Sequence, residues 1–312
     1  MVHRASLAPT VRCAAVTSHL GLDLGGTNIK WVVLDQDGTP IADGSLPTEA
    51  ERGPDHVVER LAQAGHVAID AAGPIATAGV GVPGIYDATH GSIRFFTNLP
   101  GPWAGHPLGA PLSEALGVPV RLINDARAFT LAEARVGAGQ GCAALVGVTL
   151  GTGVGGGVVL DGRLVLGYHG TAGEIGHQVI DCNPGAPKCG CGNTGCLEAF
   201  VRAAALASAA GTATAAEAFA ADERGDPRAH AAVEQWIDYL AIGLANVVTV
   251  LTPDRIVLGG GVASAAARII TPLRKRLAAH VHLTDPNHVE IVHAALGVRA
   301  GAIGAALRGL EP

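Results

Sequence analysis

From His19 to Leu34 an apolar run, a Gly25-Gly26-Thr27 interruption and a β-branched run over Ile29 to Val33 follow one another, closed by Asp35-Gln36-Asp37-Gly38. Short apolar runs on either side of a glycine turn predict a β-hairpin. About 125 residues later the pattern returns: Ala144 to Leu150, Gly151-Thr152-Gly153, Val154 to Leu160, then Asp161-Gly162. Two such units predict two domains of similar topology, each offering backbone N–H groups at its turn. Facing one another, turns of this kind can hold a polyphosphate.

Between them, Ala78 to Val82 reads as a buried strand ending at Pro83-Gly84, and Val118 to Ile123 as another ending at Asn124-Asp125. Ala126 to Arg135, Cys196 to Ala210 and His230 to Leu251 read as helices; after the third come Pro253 and a strand from Arg255 to Leu258 that runs into Gly259-Gly260-Gly261. Gly211 to Pro227, alanine-rich and acidic, reads as a short helix plus surface connection, and Leu296 to Leu310 as a small-residue helix. Strands alternating with helices place the chain in the α/β class.

Composition narrows the function. The 312 residues suit two domains, and charged residues make up 15% against a usual ~25%, so the core is large. The net charge of −6 repels a phosphate backbone and eleven aromatics offer few stacking platforms, which argues against a nucleic-acid partner. No apolar run approaches the ~18 residues of a membrane helix. The first eighteen residues hold Arg4 and Arg12 but no continuous apolar stretch, and so read as a disordered tail rather than a secretory signal. A cytoplasmic location is expected.

Gly151, Gly153 and Gly156 satisfy G-x-G-x-x-G, yet Val158-Val159-Leu160 continue a strand where a dinucleotide site needs a helix. No G-x-x-x-x-G-K-[ST] is present. The run Asp23-Leu24-Gly25-Gly26-Thr27-Asn28-Ile29-Lys30 gathers a carboxylate, glycines, a hydroxyl and a lysine, types that hold Mg²⁺ and phosphate oxygens. Alone it is an ordinary hairpin turn; with Gly151-Thr152-Gly153 and Gly259-Gly260-Gly261 it points to nucleotide phosphates. Four of six cysteines cluster, which argues for metal rather than a disulfide framework. Cys189, Cys191 and Cys196 with His177 make a four-coordinate set for Zn²⁺. With every position filled by protein, the site is structural. Cys182, beyond the Asn183-Pro184-Gly185-Ala186-Pro187 spacer, is the less favoured ligand.

Asp23 to Lys30, Gly151 to Gly153, Glu174-Ile175-Gly176-His177 and Cys189 to Glu198 together resemble the ROK family of sugar kinases and related repressors, its bacterial glucokinases in particular, from about Leu20 to Leu310. The resemblance implies an actin-like (ribonuclease H-like) two-domain fold with ATP and sugar in the interdomain cleft. We expect an extension over residues 1–18, a small domain over 19–125 completed by a terminal helix over 298–312, and a large domain over 126–297.

Carried over residue by residue, the resemblance makes Asp125 the catalytic base and Asn98, Asn124, Asp125, Glu174, His177 and Glu198 the sugar ligands. Asp125 has a plainer reading as a cap for the helix starting at Ala126. Asp23 would orient Mg²⁺ through water, and His177 would turn one ring nitrogen to zinc and the other to the sugar. The chain departs from the family in residues 1–18, in Cys182, and in Phe200-Val201-Arg202, which replaces a small Ala-Ser-Gly type segment at the pocket border. It lacks the helix-turn-helix domain that the family's repressors carry before the first turn. The expected activity is ATP-dependent phosphorylation of a hexose, glucose at its 6-OH, by a homo-oligomer (dimer or tetramer). Rival acceptors are N-acetylglucosamine, N-acetylmannosamine, mannose, fructose or a cyclitol, and polyphosphate is a rival donor. The rival class is a sugar-sensing protein without phosphoryl transfer.

Overall fold

β1 (His19–Leu24) and β2 (Asn28–Leu34) pair antiparallel, with Asp23 opposite Lys30, in a computed structural model that describes residues 17–96 and 99–310. Residues 1–16 of the expected extension, Asn98 and the end of the expected 298–312 helix lie outside the described residues. β3 (Pro40–Pro47) continues the hairpin, and α1 (Pro54–Ala72) leads to β4 (Thr77–Val82), parallel to β1. Pro54 opens α1 where its missing N–H is harmless, and Val57, Leu61, Ala64 and Ala68 bury one stripe of it. The hairpin β5 (Gly84–Asp87)–β6 (Ser92–Phe96) and α2 (Gly109–Leu116) precede β7 (Val120–Asn124), parallel to β4.

α3 (Asp125–Val136) then carries the chain to β8 (Ala144–Leu150), β9 (Val154–Leu160) and β10 (Arg163–Leu164). Helices α4 (Leu197–Val201), α5 (Ala203–Ala210), α6 (Ala215–Glu223) and α7 (Pro227–Leu251) follow. β11 (Arg255–Gly259), α8 (Ala266–His280), β12 (Glu290–His293) and α9 (Ala300–Leu310) complete the fold. The sheets are ordered β3-β2-β1-β4-β7 and β10-β9-β8-β11-β12, one topology used twice. The repeated strand–turn–strand pattern in the sequence is the opening hairpin of each.

α9 lies on the first sheet and α3 on the second, and the two helices pack on each other between the sheets. Contact is backbone on backbone. A Cβ at Gly21 or Gly79 would overlap the carbonyl oxygen of Ala302 or Ala305, and one at Gly304 that of Ala128. On the other side Gly155 and Gly157 of β9 make room for Ala126 and Thr130 of α3. Of the three glycines that imitate a dinucleotide fingerprint, Gly151 and Gly153 lie in the turn and only Gly156 on β9, where Gly155 and Gly157 beside it are packing surface. Fully buried Glu133 accepts the N–H groups of Ala138 (2.8 Å), Ala295 (3.1 Å) and Leu296 (2.9 Å), joining both segments by which the chain passes between the sheets.

Two elements differ from expectation. The helix expected unbroken from Cys196 to Ala210 is interrupted at Arg202, whose extended backbone (φ −63°, ψ 153°) turns the Ala203 N–H onto the Gly151 carbonyl at 2.8 Å. The last helix begins at Ala300, after a single 3₁₀ turn over Gly297–Arg299. No helix among the described residues is long and apolar enough to cross a membrane.

Candidate active site

β7 ends at Asn124 and α3 begins at Asp125, so the pair sits where a strand hands over to a helix N-terminus. Asn124 Oδ1 accepts from the N–H groups of Ala126 (3.1 Å) and Arg127 (3.2 Å). Asn124 is therefore the cap residue of α3. Asn124 Nδ2 donates to the Gly84 carbonyl (3.2 Å) and to Asp125 Oδ1 (3.0 Å). With its amide engaged on both sides, Asn124 buttresses Asp125.

The Asp125 carboxylate accepts the Ala126 N–H at 2.8 Å and lies deep in the molecule while keeping some accessible surface. Burial foremost, then the negative charge of Asp23, push its pKa up to about 7, with a smaller push from Glu174. The Ala126 N–H and Arg127 act the other way. Asp23, at the end of β1, is also raised by burial, against the pull of Lys30 opposite it. Two deep carboxylates that repel one another suit a divalent cation between or beside them.

The first glycine turn is closed by Gly25 N–H to Asn28 O at 3.1 Å and held by fully buried Thr48, whose hydroxyl donates to Gly25 O at 2.7 Å. Gly26, Thr27 and Asn28 stay exposed. In the second turn Gly151 N–H meets Gly153 O at 3.0 Å. Thr149 pairs with Gly259 across β8 and β11, so Gly259-Gly260-Gly261 emerges beside this turn. A Cβ at Gly259 would strike the Phe129 ring, and one at Gly260 (φ +87°) the Leu150 backbone. Those two glycines are packing positions; Gly151 and Gly261 face open space.

The cysteine loop folds as a tight knuckle, with Cys189 N–H to Asn193 O at 2.8 Å and Gly192 and Gly195 at positive φ. His177, Cys189, Cys191 and Cys196 bring one donor atom each within 4.8 Å of all the others. Cys191 and Cys196 sulfurs are 3.7 Å apart, and Cys189 Sγ is 3.5 Å from His177 Nδ1. Ligands of a tetrahedral zinc, at about 2.3 Å for sulfur and about 2.0 Å for nitrogen, stand about 3.5–3.8 Å apart. The donor set fits a tetrahedral metal. Exposed Cys182 takes no part in it.

With Nδ1 on the cluster, His177 Nε2 faces Glu174 Oε2 at 3.9 Å. Glu198 Oε2 accepts the Val154 N–H at 2.9 Å, and its Oε1 lies 3.5 Å from Cys189 Sγ. Glu174, His177 and Glu198 thus gather beside the metal knuckle. The Phe200-Val201 departure turns away from them: Phe200 stacks on Tyr239 (4.2 Å), and Val201, fully buried, accepts the Trp236 Nε1–H. Sequence reasoning missed Arg127, a guanidinium at 1% exposure that donates to Glu174 Oε1 at 2.8 Å. The signal was there: an arginine set among the small and apolar residues of the first turns of α3.

The ROK family model matches residues 19–308. A glucokinase of Thermotoga maritima is 33% identical over 306 residues, covering 92% of this chain and 95% of its own. An N-acetyl-D-glucosamine kinase of Yersinia pseudotuberculosis is likewise 33% identical, over 92% of this chain and 97% of its own. The structure of a ROK family glucokinase from Streptomyces griseus in complex with glucose and AMPPNP superposes with a TM-score of 0.80 at 27% identity, covering 95% of this chain and all of that one. Twin sheets of one topology, with α3 and α9 packed between them, match the actin-like kinase fold of these relatives. Within that fold the chain belongs to the ROK family.

Proposed function

We propose that this chain transfers the γ-phosphoryl group of ATP to the 6-hydroxyl of glucose. The broader class, an ATP-dependent hexose kinase, follows from family and relatives. The observation that carries the reading is Asp125, a carboxylate oriented by Asn124 and Ala126 with its pKa raised to about 7. A base poised near working pH is what proton removal from a hydroxyl needs, whereas a sensor needs none.

The sugar oxygen attacks the γ-phosphorus; its bond to phosphorus forms as the bond to the β-phosphate oxygen breaks, ADP leaves, and the proton passes to Asp125. Because the transition state is loose, Asp125 chiefly orients the hydroxyl and takes its proton late. Glu174, His177 and Glu198, with Asn98 and Asn124, would hold ring hydroxyls through paired donors and acceptors. Backbone N–H groups of Gly25 to Asn28, of Gly151 to Gly153 and at Gly261 would cradle phosphates, aided by Lys30. Asp23 would hold Mg²⁺ through water, and the ion supplies neutralisation of phosphate charge. His177, Cys189, Cys191 and Cys196 would hold zinc, which fixes the imidazole and offers no open position for hydroxide.

The same reading takes residues 19–125 with the terminal helix as one lobe and 126–297 as the other, in a cytoplasmic homo-oligomer. A coupled ADP-release assay over hexoses, hexosamines and cyclitols tests it. Glucose should give the highest kcat/KM. A higher value for N-acetylglucosamine would reassign the acceptor, and sugar binding without turnover on any acceptor would make the protein a sensor.

A further inference from the structure

We propose that Arg127 is a positioning residue for the sugar, locking Glu174 so that one of its carboxylate oxygens faces the substrate. The inference rests on the reading of Glu174 as a sugar ligand. Arg127 lies two residues beyond Asp125 on α3 and is buried to 1% exposure. Its Nη2 donates to Glu174 Oε1 at 2.8 Å and its Nε to the Ala172 carbonyl at 2.7 Å. A buried guanidinium is tolerated only when paired in this way. Both partners lie on the short segment that leads into His177.

The consequence is geometric. With Oε1 engaged by Arg127, Glu174 turns Oε2 toward His177 Nε2, and these atoms stand 3.9 Å apart. That is beyond a hydrogen bond, so each is left for another partner: an acceptor and, with Nδ1 on the metal, a donor. Two adjacent ring hydroxyls of a pyranose can bridge such a pair. Arg127 also ties this segment to the helix that carries Asp125, so hydroxyl recognition and the base share one rigid element. A lysine keeps the charge but loses the planar fork that serves two acceptors at once.

The test is a double-mutant cycle on the full-length protein, read by calorimetry with glucose and by steady-state kinetics with ATP. Arg127→Met should weaken glucose binding at least roughly tenfold, leave the ATP KM within about threefold, and leave a cooperative thermal transition; Arg127→Lys should fall between. In a Glu174→Ala background, Arg127→Met should add less than about twofold. An additive cycle, or losses of sugar and nucleotide affinity that track each other, would overturn the proposal. If Arg127→Met does not fold, the cycle with Arg127→Lys decides by the same criterion. Wild-type protein that does not bind glucose would count against the acceptor, not against Arg127, and the cycle is then run with the hexose that is turned over.

Discussion

The Glu198 carboxylate occupies the space that a side chain at Gly153 would need: a Cβ there would lie 2.5 Å from Oε2. Glu198, proposed above as a sugar ligand, therefore sits directly against the second glycine turn, and substitutions in the turn need not all report on nucleotide.

Gly151 gives the cleaner probe, because a Cβ there meets nothing within 4 Å. Gly151→Val should raise the ATP KM roughly tenfold or more with the glucose KM within about twofold, by blocking approach of phosphates to backbone N–H groups. Gly153→Ala should raise both constants, since it displaces Glu198. Equal effects of the two variants on both substrates would remove the turn from nucleotide binding.

Purified protein should carry about one zinc per chain by elemental analysis. Cys191→Ala should lose it and raise the glucose KM, because His177 loses the partner that aims its ring. Cys182→Ala should change neither quantity. Full zinc content in the Cys191 variant would overturn the ligand set.

Asp125 accepts a proton only as the carboxylate. With a pKa of about 7, kcat/KM should fall as pH drops below about 7, approaching tenfold per unit. Asp125→Asn should lose at least roughly 10² in kcat with sugar affinity changed less than about tenfold. Stability supplies a second readout. A carboxyl whose folded pKa lies above its unfolded value favours the folded state at acid pH, and that contribution is lost as pH rises through about 7. The melting temperature of Asp125→Asn relative to wild type should therefore climb between pH 4 and pH 8. A pH-independent difference would show that Asp125 ionises normally in the fold.

Both hairpins, the Asn124-Asp125 junction and the cysteine set were legible because each is short and local, with its signal in contiguous residues. The twin topology followed from the repeat. What sequence could not carry was pairing over distance. Nothing near Arg127 names Glu174, 47 residues on, as its partner. Nor does Gly259-Gly260-Gly261 reveal that two of its members face Phe129 and Leu150. The break at Arg202 is equally silent, since its cause is the Gly151 carbonyl in another element. α8, with Pro272 inside it, hides its periodicity behind a residue that ordinarily ends helices.

Glu133 gives a prediction independent of chemistry. Glu133→Ala removes the acceptor of three N–H groups, those of Ala138, Ala295 and Leu296, and empties a fully buried position, so a loss of about 1–3 kcal/mol is expected in urea unfolding. Glu133→Gln, which keeps one acceptor oxygen, should lose less. A neutral Glu133→Ala variant would mean that the amides find other partners.

The seat of α9 bears on how the protein is made. The face of the first sheet that presents Gly21 and Gly79 is covered by a helix ending at Leu310. During synthesis that face waits for nearly the entire chain to leave the ribosome, although its strands emerge first. Domains ordinarily fold in the order of their synthesis. Here the amino-terminal lobe is begun early and closed last, so the nascent chain must carry an uncovered apolar sheet through most of its translation.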